Sequence, residues 1–211
     1  VYLADFHNGN ILEHTQFIDK EVVDNMLALA QAQTIEPFIY TFGGEHQVYY
    51  RHVTNPGSIA YLASLEKDKR VKQVPEFTFQ KDENVSGFLL IGTMKNLEPI
   101  YHHLKEKHFD HLNSYFAEDV SMKGYYWLQA FHQQANKGNM VKKLVDRLNF
   151  PLNKTMVFGD YLNDLDMFQV AGYSVAMENA LPAVKESADQ VIGSNSQGAV
   201  LDFLESIWMN T

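Results

Sequence analysis

The chain has 211 residues, 45% of them hydrophobic, no cysteine and a formal net charge of -9. That is enough apolar sequence for a substantial core, in one large domain or two small ones. The acidic balance argues against nonspecific attraction to nucleic acid or anionic lipid. The lack of cysteine excludes disulfides and thiolate sites, so any metal must be held by oxygen or imidazole.

No apolar run approaches the roughly 18 to 20 residues of a bilayer span, so the expectation is a soluble, cytoplasmic protein. The opening VYLADFHNG reads as strand without an initial Met, which predicts a start inside a larger protein. Val1 to Leu12 predicts a hairpin turning at Asn8-Gly9. A helix follows, with Asp19 as N-cap and Val22, Val23, Met26, Leu27, Leu29 and Ala30 recurring at helical spacing. Residues 38–42 and 47–50, aromatic and β-branched around Gly43-Gly44, predict paired strands, and 59–69 a short helix.

Gly87-Phe-Leu-Leu-Ile-Gly92 is a compact apolar strand, and 96–107 shows helical periodicity through Leu97, Ile100, Tyr101 and Leu104. Residues 120–131, with Tyr125, Tyr126 and Trp127, read as a closing pair of strands. After Gln133 the character changes. A helix over 139–148 leads to a strand at 155–158, an acidic loop, a helix through Phe168 and a strand at 173–177. A helix at 182–187, a strand at 190–192 and a final amphipathic helix over 199–208 complete the chain. This βα alternation builds a mostly parallel sheet, so the fold class is α/β with a boundary near residue 132: residues 1–132 and 133–211.

The acidic loop, VFGDYLNDLDMF over 157–168, places three aspartates behind an apolar strand. In parallel α/β sheets, ligands collect at the carboxyl ends of strands. There Gly159 permits a tight turn, Asp160 projects from the strand end, and Asn163 and Asp164 open the next helix. Asp160 and Asp164, four apart, can converge on Mg²⁺, which favours one or two carboxylates completed by water and phosphate. Asp166 points elsewhere. The competing reading is that these acids merely complement the helix dipole, worth about 0.3–1 kcal/mol each.

The surrounding residues resemble the haloacid dehalogenase superfamily, specifically Cof-like phosphatases with a large α/β (type IIB) cap. Gly159, Asp160, Asn163, Asp164 and Met167 match that family's Gly-Asp-x-x-Asn-Asp-x-x-Met motif position by position. Val175-Ala-Met-Glu-Asn-Ala180, Val184-Lys-Glu-Ser-Ala-Asp189 and Ser194-Asn-Ser-Gln-Gly198 are similar to its closing βα units. Asn136-Lys137-Gly138 is similar to the motif whose lysine meets the phosphate. The resemblance implies a Rossmann-like core with an α/β cap in residues 1–132. It also implies hydrolysis of phosphate monoesters of small metabolites, such as a sugar phosphate or cofactor precursor, through an aspartyl-phosphate. On that reading Asp160 and Asp164 hold Mg²⁺ and Lys137 offsets phosphoryl charge, so that Asp160 and Lys137 are the catalytic pair. Asn163 joins Lys137 in binding phosphate.

The family's Asp-x-Asp-x-Thr nucleophile motif and its Ser/Thr motif do not occur in the 211 residues, and Asp5-Phe-His-Asn-Gly9 is no substitute. The expectation is that the nucleophile lies in an N-terminal segment outside this sequence, which acts as a partner to it, and that these 211 residues alone are inactive. A phosphomutase of the same superfamily and a noncatalytic regulatory protein stay open as alternatives. Arg51, His52 and Asn55, after a cap strand, are candidate substrate contacts. His102, His103, His108 and His111 read as surface histidines, and Tyr49-Tyr50 and Tyr125-Tyr126-Trp127 as sheet packing.

Overall fold

The structure is a computed structural model describing residues 2–14 and 16–209. It divides into two compact units, residues 15–135 and residues 1–14 with 136–211. The second junction lies within a few residues of the expected boundary. The first fourteen residues, expected in the cap, cluster instead with the C-terminal unit. Their hairpin forms, β1 (Tyr2–Ala4) against β2 (Ile11–His14), with Gly9 at φ 71 inside a loop over residues 5–10 rather than at a two-residue turn. Lys143 Nζ donates to Glu13 Oε2 at 2.9 Å, tying this hairpin to α4 (Lys137–Arg147).

Residues 16–135 form a six-stranded sheet with helices. Helix α1 (Lys20–Ala32) buries Val22, Val23, Met26 and Ala30 on one face; Asp19 holds the N-cap position, but its side chain makes no capping bond. Strands β3 (Phe38–Phe42) and β4 (His46–Tyr50) pair antiparallel, followed by α2 (Pro56–Ser64) and a short β5 (Val71–Gln73) parallel to β4. Strand β6 (Asn84–Gly92), helix α3 (Met94–Lys107), β7 (Leu112–Glu118) and β8 (Tyr126–His132) complete it, in the order β5-β4-β3-β6-β8-β7.

Strand β6 is apolar and buried from Gly87 to Gly92 because both its faces are covered there. Phe88 and Leu90 pack with Met26, Leu97, Ile100 and Leu128, while Leu89 and Ile91 pack on the opposite face with Phe38, Val48, Tyr61 and Leu62. Instead of the closing pair expected over 120–131, one strand lies there, and its partner β7 precedes it. Asp119 organises the turn between them, accepting from Ser121 N at 2.7 Å, Met122 N at 3.2 Å and Trp127 Nε1 at 2.8 Å.

The C-terminal unit follows the expected alternation. Strands β9 (Met156–Gly159), β10 (Tyr173–Met177) and β11 (Gln190–Ile192) run parallel in the order β11-β10-β9. A 3-10 turn at Leu162–Asp164 leads into α5 (Leu165–Phe168); α6 (Pro182–Ser187) and α7 (Ala199–Trp208) follow. Val157, Phe168, Ala176, Met177 and Val184 form the core. Asp189 pins the start of β10, its Oδ2 accepting from Ser174 N at 2.8 Å and Ser174 Oγ at 2.7 Å; these bonds, led by that from the Ser174 side chain, hold its carboxyl below the usual range. Among the described residues, no helix is long and apolar enough to cross a membrane.

Candidate active site

The carboxyl end of β9 gathers the motif residues of the C-terminal unit. Helix α4 begins at Lys137, with the Asn136 side chain accepting from Asn139 N at 2.8 Å as its N-cap. Gly138, next along, is buried because α4 runs directly against the backbone of α5. A Cβ there would stand 2.7 Å from the Asp166 carbonyl carbon and closer still to its oxygen. This close approach brings Lys137 to the acidic loop, where its ammonium pairs with Asp164 Oδ1 and stands 3.5 Å from Asn163 Oδ1.

Asp164 is only 3% exposed, so its charge must be compensated. Its Oδ2 accepts from Asp160 N at 2.9 Å and Tyr161 N at 3.0 Å, and its Oδ1 faces Lys137. Gly159 makes room for it: a Cβ at 159 would lie 2.7 Å from the Asp164 Cγ and 2.8 Å from Oδ2. Asp160 is half-buried, its carbonyl accepting from Leu181 N at 3.2 Å and its Oδ2 from Asn195 Nδ2 at 2.9 Å.

The structure thus brings Lys137, Asn163 and Asp164 together, with Asp160 on the same loop. Asp164 is joined to Asp160 through the backbone, and both its oxygens turn inward. Asp160 and Asp164 thus meet through the Asp160 backbone N–H and not as two carboxylates side by side. Four-residue spacing sets two side chains on one helical face only inside a helix, and residues 160 and 161 precede the 3-10 turn.

Magnesium takes one or two protein carboxylates and draws its remaining oxygens from water and phosphate. The oxygen-only donor set of this loop suits that ion, with Asp160 as the carboxylate in place. No group of three or more His, Cys, Asp or Glu side chains able to hold a metal ion occurs among the described residues.

Against this geometry, a family model described as haloacid dehalogenase-like hydrolase matches residues 1–204. The chain belongs to the haloacid dehalogenase-like hydrolase family. Pyridoxal phosphate phosphatase YbhA of Escherichia coli (strain K12) is 38% identical over 230 aligned positions, covering 97% of this chain and 74% of that protein. Phosphatase YwpJ of Bacillus subtilis (strain 168) is 32% identical over 165 positions, covering 69% and 55%. The HAD subclass IIB sugar phosphatase BT4131 shares the fold at TM-score 0.69 and 17% identity, over 94% of this chain and 70% of that one. This haloacid dehalogenase-like chain spans 42% of the length of one curated relative and 55% of another.

The candidate substrate contacts of this hydrolase-family chain have partners within residues 15–135. Arg51 forms a two-pronged pair with Glu36, Nε to Oε2 at 2.9 Å and Nη2 to Oε1 at 2.8 Å, and lies 5.1 Å from the centre of the Phe77 ring. His52 Nε2 is 3.2 Å from the same Glu36. Asn55 caps α2, accepting from Ser58 N at 3.0 Å, and donates to Ile91 O at 2.8 Å. Asn55→Ala is therefore expected to destabilise by about 1–2 kcal/mol as a lost helix cap, measured by urea denaturation; an unchanged midpoint refutes the capping role.

The four histidines lie around the end of α3. His103 and His108 have ring centres 6.0 Å apart and His108 and His111 6.5 Å, with His108 Nε2 3.2 Å from Asn25 Oδ1. Burial, with the neighbouring His103 and His111, lowers the His108 pKa. The aromatic runs pack as expected: Tyr50 meets Phe38, and Trp127 meets Tyr61 edge-on. Asn195 stands in the sequence only as part of the Ser194–Gly198 run, with no spacing that ties it to Asp160.

Proposed function

We propose that the protein is a Mg²⁺-dependent phosphatase of small phosphorylated metabolites, in which residues 15–135 are the family's α/β cap and the C-terminal unit is part of its core. One observation carries this reading: a lysine at a helix start is held over the carboxyl end of a parallel strand by a buried aspartate, beside an asparagine and a second carboxylate. The names of relatives, a pyridoxal phosphate phosphatase and a sugar phosphatase among them, support the substrate class.

A phosphate monoester carries negative charge that repels a carboxylate nucleophile, so hydrolysis needs fixed positive charge around the phosphoryl oxygens. The Lys137 ammonium supplies it, its position set by Asp164. Asn163 orients the phosphate through its carboxamide. Asp160 would hold the magnesium, which when bound neutralises phosphoryl charge and fixes the in-line direction of attack. The nucleophile, an aspartate forming the aspartyl-phosphate, is assigned to sequence outside these 211 residues. The alignment with YbhA, which takes in 97% of this chain and 74% of that protein, supports that assignment, as does β9, which among the described residues pairs with β10 alone, so that its other edge could take a further parallel strand.

The test is phosphate release from a panel of sugar phosphates and pyridoxal 5′-phosphate by the protein in its natural length, with and without magnesium. Magnesium-dependent release of inorganic phosphate is the expected result. Transfer of the phosphoryl group within the sugar supports a mutase instead, and no turnover of any ester defeats the proposal.

A further inference from the structure

Three loops leave the carboxyl ends of the parallel strands, and side-chain amides connect them. After β9, Asp160 presents its carboxylate; after β10 comes Asn179; after β11 comes Asn195. Asn195 Nδ2 donates to Asp160 Oδ2 at 2.9 Å. Asn179 Oδ1 in turn accepts from Asn195 N at 3.0 Å and from Ser194 Oγ at 3.1 Å. The loop closes on Gly198, whose φ of 73 is the left-handed conformation that glycine adopts without strain. No other partner of the Asp160 carboxylate is found among the described residues.

A half-buried carboxylate on a loop has two soft torsions, and its two oxygens exchange places when the terminal one turns. A single amide donor on one oxygen restricts that freedom: Oδ2 is engaged, and Oδ1 is left as the oxygen with no hydrogen-bond partner among the described residues. Asn195 cannot take a proton from Asp160 or give one up near neutral pH, so it orients the acid without competing for its charge. Its own backbone is anchored by Asn179, so the chain of contacts Asn179–Asn195–Asp160 passes the rigidity of the neighbouring strand loops to the acid.

We infer that Asn195 is a positioning residue, which with Asn179 behind it fixes the Asp160 carboxylate for a divalent cation. The inference rests on the proposed role of Asp160. Partners that orient a ligating carboxylate commonly change metal affinity by about 10–100-fold when removed.

The experiment is titration of the protein in its natural length with Mn²⁺, reading free Mn²⁺ by its EPR signal. Asp160→Asn is expected to abolish tight binding and Asn195→Ala to weaken it about tenfold. Asn179→Ala is expected to weaken it in the same direction by less. Thermal unfolding of each variant checks that the fold is kept. If Asp160→Asn loses binding while Asn195→Ala and Asn179→Ala both bind like wild type, the positioning role is wrong and the site stands. If wild type and Asp160→Asn bind alike, the site itself falls and the inference with it.

Discussion

Lys137→Ala is expected to lower turnover of a phosphate ester by about 10²–10³-fold, the usual consequence of removing one preorganised electrostatic group from a charged transition state. The loss should fall mainly on kcat, because the demand for positive charge peaks as the phosphoryl group transfers. Stability should change less. Asp164 would keep its two backbone donors at 2.9 and 3.0 Å, so losing the lysine, itself 41% exposed, is expected to remove about 1–2 kcal/mol. Lys137→Arg keeps the charge, yet its planar fork presents donors at different positions from a single ammonium and should not restore turnover. Steady-state kinetics with urea denaturation separates these effects. Turnover within tenfold of wild type for Lys137→Ala removes the lysine from the chemistry.

Gly138→Ala is expected to destabilise by about 2–3 kcal/mol, against the general trend for helical glycines. In an open helix the change is favourable by about 1 kcal/mol. Here the added methyl would stand 2.7 Å from the Asp166 carbonyl carbon, and the obstacle is backbone rather than the end of a flexible side chain. Helix α4 must then lift from α5, and overpacking of this kind usually outweighs propensity. Because Lys137 adjoins the glycine and Asp164 lies two residues before Asp166, turnover should fall along with stability. Chemical denaturation decides the sign: a raised midpoint means the contact between these helices yields more easily than their backbones suggest.

The element pattern of the C-terminal unit was legible because each strand there is a short apolar run followed by a turn signal and a helical period. Strand β7 was not legible. Its alternation is blurred by Ser114, a polar residue only 7% exposed on the same face as buried Leu112. The site was readable as a list of residues but not as an arrangement. The spacing lets Asp160 and Asp164 converge, whereas the turn directs Asp164 toward backbone N–H groups and Lys137. Asn195 could not be found by spacing at all, since it meets Asp160 from a loop 35 residues away in sequence. Arg51 and Asn55 read as candidate substrate contacts because Glu36 and the Ile91 carbonyl, which engage them, lie 15 and 36 residues away in sequence.

The hairpin of residues 2–14 and the segment from 136 onward belong to a single unit, while the stretch up to residue 135 between them forms another of its own. A body assembled from two separated pieces of chain has a high contact order, and its long closure is entropically unfavourable until the intervening stretch has collapsed. The intervening unit has continuous sequence and nested strand pairings, so it can acquire structure first and shorten the span to be closed. Refolding should therefore proceed in two phases, the later one reporting the terminal hairpin's arrival against helix α4.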